Sequence, residues 1–262
     1  MKAKRRELKI LVNTNAPYTN SGYAIHARDV FYRLVKDGWN IAISGFFGVE
    51  GAPTYIPYPD DLNPKLAGLK IKHYPKMGDA WGADAMVLNA KEFGADAVIT
   101  FQDVWTLDPN WLRQLKCWIP LTPIDKSPAP PPVVEKLNFA YKILTLCEFG
   151  RKELAKAGYS ATTMMEGVDT EILVPASKTG ARNRIGIQKD AFVFGMIGAN
   201  KENPPRKGYQ QAMEAFKIFL DKHPEALLFF HHQQISPYGF PIVAYAKSLG
   251  IENRVMMVDP YK

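Results

Sequence analysis

Cysteine is scarce in this chain, with only Cys117 and Cys147 among 262 residues. Their separation fits neither a zinc motif nor a disulfide-dense scaffold, so two reduced thiols are expected, as in a cytoplasmic protein. No apolar run approaches the roughly 20 residues that a membrane-spanning helix needs. The stretch Leu8 to Val12 is too short for the core of a signal peptide, so any membrane contact is expected to be peripheral. Four motifs are also missing: Gly-x-Gly-x-x-G, the Gly-Lys-Ser/Thr phosphate loop, Gly-x-Ser-x-Gly and Asp-x-Asp. Their absence argues against an ordinary dinucleotide fingerprint, a P-loop nucleotidase, a nucleophile-elbow hydrolase and an acidic pair holding a metal and a diphosphate.

What the chain does have is a globular composition, 47% hydrophobic and 23% charged, enough to build a core. Its 33 Lys and Arg outnumber 26 Asp and Glu for a formal net charge of +7. That balance suits anionic partners: a phosphorylated substrate, nucleic acid or an acidic membrane surface. Part of the excess lies in Lys2, Lys4, Arg5 and Arg6, which read equally well as a solvated tail. Basic residues are not interleaved with aromatics in a stacking pattern, and nucleic acid is not expected.

Periodicity divides the chain into β and α segments. Leu8 to Val12 reads as a buried parallel strand running into Asn13-Thr14-Asn15. After Ser21-Gly22 the apolar residues Val30, Phe31, Leu34 and Val35 fall on one helical face, with Gly38 as the stop. Asn40 to Ser44 is the next strand, and this β-loop-α-β opening begins a doubly wound α/β fold. The stretch from Gly45 to Met77, rich in Pro and Gly, carries no clear period. Beyond it come a helix near Ala85 to Phe93, strands at Ala97 to Phe101 and Trp118 to Leu121, and an extended proline loop over Pro128 to Pro132. A strand at Lys142 to Leu146, a short helix at Arg151 to Ala157 and a strand at Ala161 to Met165 complete a first domain over 1–172. Residues 173–188 read as a linker. The alternation restarts over 189–262, with strands at Phe192 to Ile197, Ala226 to Phe230 and Arg254 to Val258. Its helices are Ile242 to Leu249 and the stripe Tyr209, Ala212, Met213, Phe216, Phe219, Leu220.

Several loops follow strands, where α/β folds bind ligands. The segment Asn15 to Gly22 is either an ordinary βα turn or a phosphate-binding helix start, with Gly22 letting a ligand approach the backbone. The segment Gly198 to Gly208 crowds Asn200, Lys201, Arg206 and Lys207 into one βα loop. A planar guanidinium fork and a compact ammonium suit diphosphate oxygens, and a departing diphosphate needs that stabilisation. Asp103 and Asp125 each end a strand, as solvated loop acids or as site carboxylates. Asp169, after Glu166-Gly-Val, suits a capping role. His26 lies near Gly22, facing either the ligand side or solvent. Adjacent His231 and His232 point to opposite faces of a strand and make a poor metal pair.

The order of these segments resembles glycosyltransferase family 4, a family of GT-B fold. The resemblance rests on Leu8-Lys-Ile-Leu-Val with Ser21-Gly22-Tyr23, on Pro120-Leu-Thr-Pro-Ile-Asp125, and on Leu146-Cys-Glu-Phe-Gly150 with Gly158. It continues through Gly167-Val-Asp-Thr170 with Pro175, Arg184-Ile-Gly-Ile187, and Gly198 to Gly208 with Ala215-Phe216 and His223-Pro224. It implies two Rossmann-like domains, the second of them incomplete here. It implies transfer of a sugar from a nucleoside-diphosphate donor to an acceptor, with retention at the anomeric carbon, no metal and no resident cofactor. Gly22, Asn200, Arg206 and Lys207 would then contact the donor diphosphate, and Asp103 or Asp125 the donor or the acceptor. The family's Glu-x7-Glu element, which grips sugar and ribose, has no counterpart in the 262 residues. That lack suggests a truncated chain, and leaves a non-catalytic nucleotide- or glycan-binding module as the alternative.

Overall fold

A computed structural model describes residues 8–232 and 238–259; Lys2, Lys4, Arg5 and Arg6 lie outside the described residues. The chain forms two compact units, one ending at Val174 and one beginning at Pro175.

The first unit is built on an eight-stranded sheet. Its strands are β1 (Lys9–Asn15), β2 (Asn40–Phe47), β3 (Thr54–Pro57), β4 (Lys70–Tyr74), β5 (Ala97–Phe101), β6 (Trp118–Thr122), β7 (Ile143–Thr145) and β8 (Ala161–Thr163). In space they run β3-β4-β2-β1-β5-β6-β7-β8, all parallel except β3, which pairs antiparallel with β4. Without β3 this is the Rossmann order, and its direction of winding reverses between β1 and β5. The helices are α1 (Gly22–Lys36), α2 (Ala83–Phe93), α3 (Pro109–Leu112), α4 (Pro131–Leu137) and α5 (Glu148–Lys156).

Alternation along β1 sends Leu11 and Val12 to opposite faces. Val12 packs with Phe31 and Tyr32 of α1 and with Ile43, Tyr58 and Leu66. Leu11 joins Met86 of α2, Val133 and Leu137 of α4, Leu154 of α5 and Trp118 of β6. Trp118 is fully buried and donates its indole N–H to Thr100 Oγ1 at 3.0 Å. Burying an aromatic of that size with its polar atom satisfied contributes about 4–6 kcal/mol at 25 cal/mol/Å².

Three local readings change. The aperiodic stretch hides β3 and β4, because β3 is a short, largely exposed edge strand containing Pro57, without a buried alternating face. Pro131 and Pro132 open helix α4 instead of continuing an extended loop: the first helical turn has no N–H partner to lose, and proline's fixed φ suits it. The 173–188 segment contains helix α6 (Lys178–Arg184), capped by Ser177 Oγ on Gly180 N at 3.2 Å and burying no residue. A helix without an apolar stripe leaves no periodic signal.

The second unit has a parallel sheet β11-β10-β9, formed by β9 (Val193–Ile197), β10 (Leu227–His231) and β11 (Val255–Val258). Helices α7 (Tyr209–Leu220) and α8 (Ile242–Leu249) pack Tyr209, Met213, Phe216 and Ala246 against Leu228 and Phe230. Arg182 ties α6 into this unit by donating to the carbonyls of Gln188, Lys189 and Ala191.

Candidate functional site

The winding reversal of the first sheet falls where β1 ends in Asn13, Thr14 and Asn15, and β5 in Phe101, followed by Gln102 and Asp103. Doubly wound folds bind ligands at such a point. The polar groups there are tightly connected. Thr14 Oγ1 donates to Phe101 O, Gln102 Nε2 to Asn13 Oδ1 and to Trp81 O, and Asn15 Nδ2 to Ser21 Oγ at 2.7 Å.

Ser21 caps α1. Its backbone is extended and its Oγ accepts from Ala24 N at 3.1 Å. The amides of Gly22 and Tyr23 stand ahead of that bond, at the partially positive end of a 15-residue helix. A Cβ placed on Gly22 would meet nothing within 4 Å, so this face of the backbone is open to a ligand.

Around that helix start the fold gathers acidic groups. Asp103 carries a hydrogen bond from the Tyr23 hydroxyl, and the phenol pKa is pushed up by burial first, then by Asp103, Glu166 and Asp125. Asp103, named from the sequence, thus bonds to Tyr23, and the charges of Glu166 and Asp125 act on the same phenol. Tyr23 and His26 both pack on the Phe101 ring, at 4.8 and 4.6 Å between centroids. His26 Nδ1 lies 3.7 Å from Glu166 Oε1. Burial lowers the His26 pKa against the opposing pull of Glu166 and Asp29, which favours the neutral imidazole.

Two cavities open here. One, of about 380 Å³, is lined by Asn15, Tyr23, Phe47, Trp81, Gln102 and Asp103 among others. The second, of about 650 Å³, follows α1 from Gly22 and His26 to Arg33 and the 166–171 segment. Its far end is a fastening: Asp169 accepts from Arg33 Nη2 at 2.5 Å, from Asn63 Nδ2 at 2.8 Å and from Glu171 N at 2.9 Å. The hydrogen bond from Asn63 leads the effects that hold the Asp169 carboxyl down to about 2. Asp169 thus caps its own turn and also ties that turn to α1.

In the second unit, the loop 198–208 leaves the carboxyl end of β9 and enters α7. Asn200 is buried and spans the Phe240 backbone, donating to its carbonyl at 2.9 Å and accepting from its N–H at 2.8 Å. Tyr209 OH donates to Gly198 O at 2.7 Å, closing the loop from beneath. Arg206 and Lys207 are exposed; Arg206 pairs with Glu202 at 3.2 Å, and the Lys207 stem runs beside Gly198. His232 is buried against the rings of Tyr209 and Phe230. Among the described residues no group of three His, Cys, Asp or Glu is placed to hold a metal ion.

Gly22, Asp103 and Asp125 thus lie in the first unit, and Asn200, Arg206 and Lys207 in the second. Tyr23, Glu166, Gln102 and Trp81 were not singled out from sequence as site residues. Trp81 alone had a usable signal, a large aromatic inside the glycine-rich turn Gly78 to Gly82.

No protein-family model matches the sequence, and no curated protein matches it. Solved structures do match its fold. A glycosyltransferase from Rickettsia africae ESF-5 aligns with a TM-score of 0.62 at 14% identity, covering 96% of this chain and 68% of that one. The UDP co-structure of MnaA from S. aureus gives 0.60 at 12% identity, over 97% and 68%. An α,α-trehalose 6-phosphate synthase from Burkholderia multivorans gives 0.60 at 10% identity, over 96% and 73%. These neighbours are GT-B proteins, and the chain has their α/β fold: a Rossmann-like unit followed by a second unit on a three-stranded parallel sheet.

Proposed function

We propose that this chain serves glycosyl transfer from a nucleoside-diphosphate sugar, with retention at the anomeric carbon. The observation that carries this reading is a phosphate-type feature in each unit. The first has an open helix start at Gly22, and the second an exposed basic loop at the carboxyl end of β9. The neighbours add weight, since one is a glycosyltransferase and another is a complex with UDP.

In this reading Arg206 and Lys207 serve the donor diphosphate, Asn200 holds the loop that presents the two cations, and Gly22 offers the first unit's own phosphate-type helix start. The bond from the anomeric carbon to the diphosphate oxygen breaks, and one to an acceptor hydroxyl forms. The hydroxyl proton passes to the departing diphosphate. No protein nucleophile is needed; positioning and the support of developing charge supply the acceleration. Asp103 and Asp125 orient the acceptor hydroxyl near Tyr23.

Calorimetry with UDP, GDP and ADP sugars tests the donor site. Arg206→Ala with Lys207→Ala removes charge-assisted bonds of about 1.5–3 kcal/mol each, so binding weakens at least tenfold for each lost bond. Stability stays within about 0.5 kcal/mol because both side chains are at the surface. Unchanged donor affinity would sink the assignment, and NMR of the product's anomeric configuration tests retention. A second reading is a non-catalytic nucleotide- or glycan-binding module. Its signature is donor binding with no product from any acceptor.

A further inference from the structure

We propose that β9 is the seam of a symmetric dimer, in which the β9 edges of two copies of this chain pair antiparallel around a two-fold axis at Gly195. This inference does not depend on the transfer reading. β9 pairs with β10 on one side, and its other side has no strand among the described residues. Such an edge offers a row of N–H and C=O groups to another strand. The other strand edges are blunted against that. β3 is four residues long and contains Pro57, and β8 is three residues long. β11 is bracketed by Arg254 and Asp259. β9 has no such guard: residues 191–199, Ala-Phe-Val-Phe-Gly-Met-Ile-Gly-Ala, carry neither charge nor proline.

Along this edge, apolar side chains are uncovered on both faces of the sheet. Alternation sends Phe194 and Met196 to the face of α7, where both pack, and Val193, Gly195 and Ile197 to the opposite one. Phe194 meets the rings of Phe216 and Phe219 at 6.0 and 5.0 Å, and Phe192 lies 5.0 Å from Phe194. These contacts hold the two phenylalanines in place, yet Phe192 remains 54% and Phe194 39% exposed. On the other face Ile197 is 79% exposed. A strand laid alongside β9 covers both sets at once; a ligand bound to one face does not.

The occupant is a second copy because the strand is complementary to itself. β9 has five residues with Gly195 in the middle. Paired antiparallel about that residue, Gly195 faces its own counterpart, Val193 faces the partner's Ile197, and Phe194 faces the partner's Met196. Pairs of β-branched residues and of an aromatic ring with methionine are both favourable across strands. Charge agrees with this choice. Copies carrying a net charge of +7 repel one another, and along 191–199 no like charges are brought together. The association also closes. The merged six-stranded sheet ends at β11 of each copy, behind Arg254 and Asp259, so growth stops at two. A five-residue edge belongs to the small interfaces, below about 1,200 Å² in total, so the dimer is reversible with a dissociation constant on the order of 10 μM.

Sedimentation velocity of the full chain, at concentrations bracketing that constant, should show monomer and dimer in exchange and nothing larger. Phe192→Lys brings a cation from each copy to the seam and should raise the dissociation constant about tenfold or more. Phe192 is exposed, so the thermal midpoint of the variant should stay at that of the parent. If the midpoint falls, cross-linking decides alone. Gly195→Cys in a Cys147→Ser background reads the register, since the added Cβ meets no atom within 4 Å and the two thiols face each other at the axis. Oxidation should link Gly195→Cys into dimers far faster than Val258→Cys on β11, with the bond mapped by mass spectrometry. A chain that stays monomeric throughout overturns the proposal, as does a dimer that a well-folded Phe192→Lys leaves at full strength. Faster linking through Val258→Cys, or growth beyond dimers, overturns it too.

Discussion

His73 lies fully buried in β4, and neither ring nitrogen has a partner among the described residues. Burial pulls its pKa down to about 3. The unfolded imidazole takes up its proton near pH 6.5, so stability is fully present above that pH and falls as pH drops from about 6.5 toward 3. The slope is at most about 1.4 kcal/mol per pH unit for one proton. Asp169 adds a lower window. Its carboxyl is held down to about 2, chiefly by the hydrogen bond from Asn63, so its contribution is present above about pH 4 and lost between pH 4 and 2. Urea unfolding at pH 7.5, 5 and 3.5 should show His73→Leu with a flatter decline than the parent and no loss at pH 7.5. Asp169→Asn should lose about 1.5–3 kcal/mol at pH 7.5, since hydrogen bonds to a charged group are removed. An equally steep decline in His73→Leu would show that other groups dominate the acid response.

At the scale of elements, two glycines at helix starts differ in what surrounds them. Gly150, in the first turn of α5, is packed so closely on β7 that a Cβ would lie 2.4 Å from Thr145 Oγ1 and 3.2 Å from Ile124 Cβ. That hydroxyl donates to Thr122 O within the core, at 3.1 Å, so it has no room to yield. Gly150→Ala should cost about 1–3 kcal/mol by overpacking and lower the thermal midpoint. Gly22→Ala meets no atom and should leave that midpoint unchanged or raised, alanine being the better helix former. A donor affinity reduced in Gly22→Ala alongside an unchanged midpoint would mark Gly22 as serving a ligand. Strand β5, Ala97–Phe101, and helices α7 and α8 fall where periodicity sets them, because each buries one regular face. Helix α6 escapes the same reasoning because it buries nothing.

For the whole molecule, the second unit leaves apolar surface on β9 and just before it: Ile197 is 79% exposed, and Phe192 and Phe194 are also exposed. β9 is also an edge strand of its sheet, and an exposed apolar edge promotes association. Ile197→Lys should change stability by less than about 0.5 kcal/mol while reducing self-association measured by light scattering at high concentration. Unaltered association would place the sticky surface elsewhere.

The sequence by itself determined the βα alternation and the loops after β1, β5, β6 and β9. Those features depend on local periodicity and on turn residues, which neighbours in the chain specify. The tertiary structure decided the rest. It placed β4 beside β2, set the winding reversal between β1 and β5, and brought the charges of Asp103, Asp125 and Glu166, from three separate loops, to bear on Tyr23. It also left Trp81 and Phe47 partly exposed in the lining of one cavity. Such meetings span 20 to 140 residues of chain and depend on which strands pair. Pairing order is chosen by the packing of whole faces, and no window of sequence contains it.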